Sequence, residues 1–506
     1  MSLASPYISK TEFLNYLTCP GYAWHLRHHG DARPSPDEGA LRRMREGHHV
    51  ESLARDLFPG GYLVTSRNPA RADRETRAAM AAGYTVIFQA TALAEAGMIA
   101  RADVLVRAGE AWHLIEVKSS SADPEKPRDV VRKHLNDITF QSIAFHNAGI
   151  PVQQLSLLVL NRTYRRNGSV DARDLFVRFD VTEDVRAAEL LVLPIIEDAI
   201  ATLLNSRVAA KCDCHRKTRT NRCELFSHFH PHIPERNTIY NIGSIQRTSL
   251  LPALDRGVLM MVDWPDDIPL GARQRRQVEV ARNGVEVAHR EKIAAFVQQF
   301  AEPLWYLDYE TFQSPVPLWE GYAPHQQITF QYSLHRIGSD GESSHYEYLA
   351  ESSVHDPTEP LLRQLAEDMG SEGSVLVWNK SFEFGRNTEM AERYPHYAEF
   401  LHDVNSRMID LADAVKHGWW EHPDFQGSWS LKQVLPVAAP EMNYKLLDIG
   451  DGGTASERWM QAVLDSPCLL SDTERSAVLR ALRIYCTQDT LAMVRIRDYM
   501  LGLLAD

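Results

Sequence analysis

Two separate sets of acidic residues in this chain have the types and spacing that bind divalent cations. The first is Asp103 followed by Glu116-Val117-Lys118, on two runs that read as strands, ARADVLVRAG and EAWHLIEVKSS. The second is Asp308-Tyr309-Glu310 at the end of the apolar run LWYLDYET, with Asp489 far downstream in IYCTQDT. Hard carboxylate oxygens hold Mg²⁺ or Mn²⁺, and such ions clamp the attacking and leaving oxygens of a phosphate. Side chains alternate along a strand, so Glu116 and Lys118 share one face, and Asp308 and Glu310 do likewise. A lysine beside such a carboxylate can position the hydrolytic water or stabilise charge growing on phosphate. Tyr485 and Asp489 stand four apart on a helical run and also share a face. Each set suits a metal-dependent phosphodiesterase, and two sets in one chain point to a double nuclease.

The elements that must carry these residues are legible in outline. Ser9-Lys10-Thr11-Glu12 is a capping box, predicting a helix to about residue 28. A second helix is expected over 38–58, stopped by Pro59-Gly60-Gly61. Short strands are expected over 84–93, 98–107 and 111–119, then a helix near 126–148 and the strand VQQLSLLVLN. Leu and Ile at helical spacing mark 182–205 as an amphipathic helix. From Leu304 the order is strand, strand, helix, strand, helix, with strands near 304–310, 327–337 and 374–379. Helices are expected there near 358–369, 382–393 and 472–500. Alternation of this kind predicts an α/β fold. The domains are read as 1–232, a helical connector over 233–300, and 301–506.

At 506 residues the chain is long enough for two or three domains. Its net charge of −13 argues against a protein that coats DNA, while leaving room for local basic patches. The opening MSLASPYISK lacks a secretory pattern, and no apolar run approaches membrane-spanning length, so a cytoplasmic protein is expected. Three of the six cysteines, Cys212, Cys214 and Cys223, crowd into a dozen residues, which favours metal binding over disulfides.

Residues 8–230 resemble the RecB-like branch of the PD-(D/E)XK nucleases, which includes the CRISPR adaptation nucleases. The likeness rests on SKTEFLNYLTCPGYAWHL, on Gly47-His48, on Asp103 with Glu116-Val117-Lys118, and on Gln141 four residues before Phe145. The family motif has Tyr where this chain has Phe145. The resemblance implies a restriction-endonuclease-like fold, with His48, Asp103 and Glu116 as metal ligands, Lys118 as catalytic residue and Gln141 positioning substrate. It also implies a 4Fe–4S cluster held by one early and three late cysteines. Cys19 fits the early position, and Cys214 and Cys223 fit two late ones. The last falls where this chain reads SHFHPH. Cys212 completing the set, a substituting histidine (His228 or His230), a Zn²⁺ site and a metal-free loop are the alternatives.

WYLDYET resembles the first motif of the DnaQ-like DEDD exonucleases, an RNase H-like fold. The second motif, Asn-x-x-Phe-Asp in the family, reads Asn379-Lys-Ser-Phe382-Glu383 here, so Glu replaces Asp. Asp410 in MIDLAD resembles an accessory Asp, and IYCTQD the third motif of the tyrosine subtype. That likeness implies metal binding by Asp308, Glu310, Glu383 and Asp489, with Tyr485 orienting the water. GSWSLKQVLPVAAPEMNYKLL resembles a bacterial domain of unknown function fused to these two nuclease types. DIGDGGTAS is read as a loop rather than a phosphate cradle, HGWWEHPDF as packing or a base-stacking surface, and Cys468 and Cys486 as bystanders. The resemblances imply a nuclease acting on DNA single strands or ends, in repair or in defence against phage and plasmids. The rivals are RNA as the second site's substrate, and inactive domains that bind nucleic acid within a larger complex.

Overall fold

A computed structural model describes residues 5–30, 37–352, 355–464 and 470–505. Cys468 lies outside the described residues. The chain forms two compact α/β units. The first comprises Met1–Pro231 and Ser314–Gln326, and the second His232–Gln313 and Gln327–Asp506. Residues 233–300, expected as a connector, therefore sit within the second unit.

The first unit is built on a seven-stranded mixed sheet. Its strands are β1 (Ile8–Ser9), β2 (Tyr62–Leu63), β3 (Val86–Ala94), β4 (Met98–Ala108), β5 (Ala111–Ala122), β6 (Val152–Asn161) and β7 (Phe176–Asp180). They run in the order β2-β3-β4-β5-β6-β7, with β1 beside β4. β3, β4 and β5 form an antiparallel meander, while β5 and β6 are parallel. A parallel pair needs a crossover, and the helix Arg128–Asn147 supplies it. Phe13 and Phe140 stack at 5.2 Å between two helices, within a core that continues through Phe145, Leu155 and Leu157. The capping box at Ser9 and Glu12 is present. The helix expected to run to residue 28 breaks at Cys19, because Pro20 lacks an N–H and starts a new helix, Pro20–His28.

The second unit holds a five-stranded sheet in the order β11-β10-β9-β12-β13. These are β9 (Leu304–Phe312), β10 (Ile328–Ile337), β11 (Ser343–Leu349), β12 (Val375–Val377) and β13 (Met408–Asp410). A small ladder joins Val287–Ala288 (β8) to Trp420–Glu421 (β14). β9 is central, antiparallel to β10 and parallel to β12. The helix Asp472–Ala505 is tied to β10 by Ser333 Oγ to Thr490 Oγ1 at 2.7 Å and Gln331 Nε2 to Leu482 O at 3.1 Å. Residues 448–456, read as a loop, contain the start of the helix Gly452–Val463, capped by Asp451. In the aromatic run, Trp420 is fully buried and stacks on Tyr499 at 5.1 Å, so this ring serves packing. Among the described residues, no helix is long and apolar enough to cross a membrane.

Two buried histidines make acid stability predictable. Burial holds His113 and His335 down at about 4, each beside a hydroxyl: Ser156 at 2.9 Å and Thr490 at 2.8 Å. Above pH ~6.5 both rings are neutral whether folded or unfolded. Between pH ~6.5 and 4 the unfolded chain takes up protons that the fold refuses, so stability falls as pH falls. His335→Gln is expected to lessen that loss in denaturant titrations at pH 7 and pH 5. An unchanged pH dependence would count against the assignment.

Candidate metal and catalytic centres

The first centre forms where β3, β4, β5 and the helix Arg128–Asn147 meet. Asp103 lies on β4, opposite Gln89 on β3, and accepts from the Val117 backbone N–H at 2.9 Å and from Gln89 Nε2 at 3.2 Å. Gln89 has φ +53, a conformation that non-glycine residues adopt at a cost. The β5–β6 register shifts between Lys118 and Ser121, directly after the Glu116-Val117-Lys118 motif. Glu116 is 1% exposed and accepts from Lys118 Nζ at 2.6 Å, Lys10 Nζ at 2.6 Å and Gln141 Nε2 at 2.6 Å. Both ammonium groups also reach Asp137, at 2.5 Å from Lys118 and 3.0 Å from Lys10. The result is a closed ring of alternating charges: Lys10, Glu116, Lys118, Asp137. Burial pushes the Glu116 carboxyl up, but the Lys118 and Lys10 ammonium groups outweigh it and hold the group low. Burial and the neighbouring Glu116 push Asp103 up instead.

Asp103, Glu116, Lys118 and Gln141 are thus brought together. His48 is not: its side chain is 79% exposed, with Nδ1 4.0 Å from Glu51. One helical turn on, Glu51 points inward and accepts from Gln89 Nε2 at 2.7 Å, which links it to Asp103. The helix Glu38–Arg55 turns residue 51 toward the sheet and leaves the His48 ring largely exposed beside it. Glu51→Gln is expected to weaken Mn²⁺ binding by the first centre about 10–100-fold, the scale for residues that support ligands. His48→Ala is expected to leave it nearly unchanged. The reverse ranking would restore the histidine.

The second centre gathers on β9 and the helix Asp472–Ala505. Carboxylate oxygens of Asp308 and Glu310 and the Cys486 Sγ all lie within 4.8 Å of one another. Cys486, read as a bystander, is fully buried and directs its thiol at Asp308 Oδ2 at 3.8 Å. Glu310, Glu383 and Asp489 are buried at 6%, 2% and 5% exposure. Glu383 Oε2 has no hydrogen-bond partner among the described residues. Burial and the neighbouring Asp489 and Glu310 carboxyls push Asp308 well up, and Glu310 follows for like reasons. Burial raises Glu383 to about 8. It also raises Asp489 to about 6, against hydrogen bonds from Tyr444 and Tyr485 and the charge of Lys432. The Lys432 ammonium stands 5.3 Å from the Tyr485 ring centre and 5.4 Å from that of Tyr444.

Glu383 is aimed by a dedicated scaffold. Asn379, at φ +79, precedes the helix Lys380–Arg393. Asp410 holds this turn by accepting from the N–H groups of Asn379 at 3.0 Å, Lys380 at 2.9 Å and Ala412 at 3.0 Å. Lys416 Nζ adds an ion pair at 2.7 Å. Tyr309 O–H donates to Asn387 at 2.9 Å and ties the same helix to β9. Gly452 lies so close that a Cβ there would come 3.4 Å from Glu310 Oε2.

The third centre is the cysteine set. The Sγ atoms of Cys19, Cys212, Cys214 and Cys223 all lie within 4.8 Å of one another. Cys212 is therefore the residue that completes the set. His228 packs tilted against His25 at 4.7 Å, and His230 packs against Phe226 at 5.0 Å. A hydrogen bond from Cys223 outweighs burial and lowers Cys19 to about 5, while burial raises Cys212 to about 12.

Sequence reasoning missed Lys10, Glu51, Gln89 and Asp137 in the first centre, and Lys432, Tyr444 and Cys486 in the second. Two of these had a signal: Asp137 precedes Gln141 by one turn, and Cys486 precedes Asp489 by three residues.

Residues 305–430 match a family described as a domain of unknown function (DUF2779). Over 222 residues the chain is 27% identical to "Uncharacterized protein UU173" of Ureaplasma parvum serovar 3, covering 40% of this chain and 31% of that one. Over 237 residues it is 25% identical to "Uncharacterized protein MG366 homolog" of Mycoplasma pneumoniae, covering 43% and 35%. The matches span about a third of the length of these curated relatives.

Proposed function

We propose that the protein is a metal-dependent nuclease with two phosphodiesterase centres, a RecB-like PD-(D/E)XK centre and a DnaQ-like exonuclease centre. The observation that carries this reading is the second centre. Burial and the neighbouring carboxyls push Asp308 and Glu310 up, burial raises Glu383 and Asp489, and Glu383 Oε2 has no hydrogen-bond partner among the described residues. Buried carboxylates that lack hydrogen bonds or counter-charge destabilise a fold, so their retention calls for a cation. Mg²⁺ or Mn²⁺ bound there would neutralise the phosphate and the attacking and leaving oxygens. Tyr485, on the helical face of Asp489, orients the attacking water, and Tyr444 fixes Asp489 by donating to it. A cavity of about 590 Å³ lined by Asn443, Leu446, Arg483, Thr487 and Gln488 borders the same helix. Single strands or free ends, the substrates that the resemblance implies, are the proposed ones.

In the first centre, Asp103 and Glu116 supply cation ligands of the PD-(D/E)XK type. Lys118 holds its ammonium beside Glu116, where water would be positioned, and Gln141 orients the Glu116 carboxylate. A second reading has one specific observation in its favour. The Lys10 and Lys118 ammonium groups already satisfy Glu116 and Asp137, so this unit could bind nucleic acid without cutting it.

The test compares 3′-labelled single-stranded DNA and RNA, each with Mn²⁺, for the unaltered chain, Asp308→Asn and Lys118→Ala. Partial loss of cleavage in each variant supports two working centres. Loss in Asp308→Asn alone assigns the first unit to binding. Faster cleavage of RNA replaces DNA as the substrate, and no cleavage of either polymer overturns the proposal.

A further inference from the structure

We infer that Cys19, Cys212, Cys214 and Cys223 hold one tetrahedral Zn²⁺ ion, and not the 4Fe–4S cluster that the RecB-like resemblance implies. The size of the cage decides it. Zn–thiolate bonds of about 2.3 Å in a tetrahedron place the sulfurs about 3.8 Å apart. Cys212 Sγ and Cys223 Sγ are 3.8 Å apart, and no pair of ligand atoms in the set exceeds 4.8 Å. In a four-iron cube each thiolate binds its own corner iron, which spreads the sulfurs to on the order of 6 Å. The cage here is too small for that.

Local packing keeps the cage small. Gly21, two residues after Cys19, lies against the backbone of the late cysteines. A Cβ at Gly21 would come 2.7 Å from Cys212 N and 2.8 Å from Lys211 C. Widening the cage by moving Cys19 and Cys212 apart would undo this backbone contact. Cys19 is further pinned between two helices, as the C-cap of Lys10–Thr18 and the N-cap of Pro20–His28. Tyr22, Phe226 and Phe229 pack around the thiols. Backbone N–H groups already point at two sulfurs, from Tyr22 to Cys19 at 3.4 Å and from Cys223 to Cys214 at 3.3 Å. Such donors share the negative charge that four thiolates leave around a divalent ion. Lys217, which donates to Thr18 O at 2.7 Å and Asp213 at 2.8 Å, adds a cation beside the loop.

Four protein ligands leave no open position, so the ion is structural. It fastens the junction of the first two helices to residues 212–223, near the end of the first unit. Binding free energy at such a site is folding free energy. This inference does not depend on the nuclease reading.

The test is the metal content of the full chain purified without oxygen, followed by cobalt substitution. One zinc per chain, with neither iron nor labile sulfide, is the expected result. Cobalt should then give the visible bands of a tetrahedral thiolate site. Those bands should be lost in Cys214→Ala and shifted but kept in Cys212→His. Chelation should lower the melting temperature of the unaltered chain by several degrees, a readout that needs no variant to fold. Four irons with labile sulfide, or successful cluster assembly from iron and sulfide, would overturn the inference. So would a chain that binds none of these metals.

Discussion

Replacing Asp308 by Asn is expected to reduce Mn²⁺-dependent release of nucleotides from single-stranded DNA about 10³-fold, or about 4 kcal/mol of transition-state stabilisation. The same change is expected to raise, or at least hold, the melting temperature without metal. Both effects have one cause. Asp308 is buried and crowded by Asp489, Glu310 and Glu383, and both raise its pKa. An amide of the same shape relieves the repulsion while removing a cation ligand. Activity and metal-free stability should therefore move in opposite directions. A variant that loses both has simply unfolded and would not support the reading.

Lys118→Ala should do the opposite to stability. Lys118 closes the charge ring, bonding Glu116 at 2.6 Å and Asp137 at 2.5 Å, with its side chain 19% exposed. Removing one partner of a mostly buried network costs about 3 kcal/mol. Loss of the positioned ammonium should also cut cleavage at the first centre about 10²–10³-fold. Lys118→Arg separates the two roles. It retains the charge and most of the stability, but a planar guanidinium cannot occupy the position of a compact ammonium, so activity should stay low. Full activity in Lys118→Arg would reduce Lys118 to an ion-pair partner.

The strand VQQLSLLVLN forms over Val152–Asn161 as expected, because a long β-branched and Leu-rich run has few other homes. The pairs Glu116 with Lys118, and Asp308 with Glu310, were visible because strand alternation is a local rule. Lys10, Glu51 and Asp137 were not, because each reaches its centre through a tertiary approach. Lys10 arrives only because β1 pairs with β4, joining Ile8 to Met98. Glu51 arrives because helix rotation, which His48 alone could not reveal, turns that face to the sheet. Short strands such as Phe176–Asp180 and Met408–Asp410 carried too few residues for a period to register. The cysteine set was legible in composition, whereas its size, which decides between one ion and a cluster, was not.

Cations at the second centre can be tested by calorimetric titration of Mn²⁺ into the full chain, without any choice of substrate. Saturable binding is expected, abolished or weakened about tenfold or more by Asp308→Asn, the scale for a lost contact around a bound ion. Binding that is absent from the unaltered chain, or identical in Asp308→Asn, would contradict it.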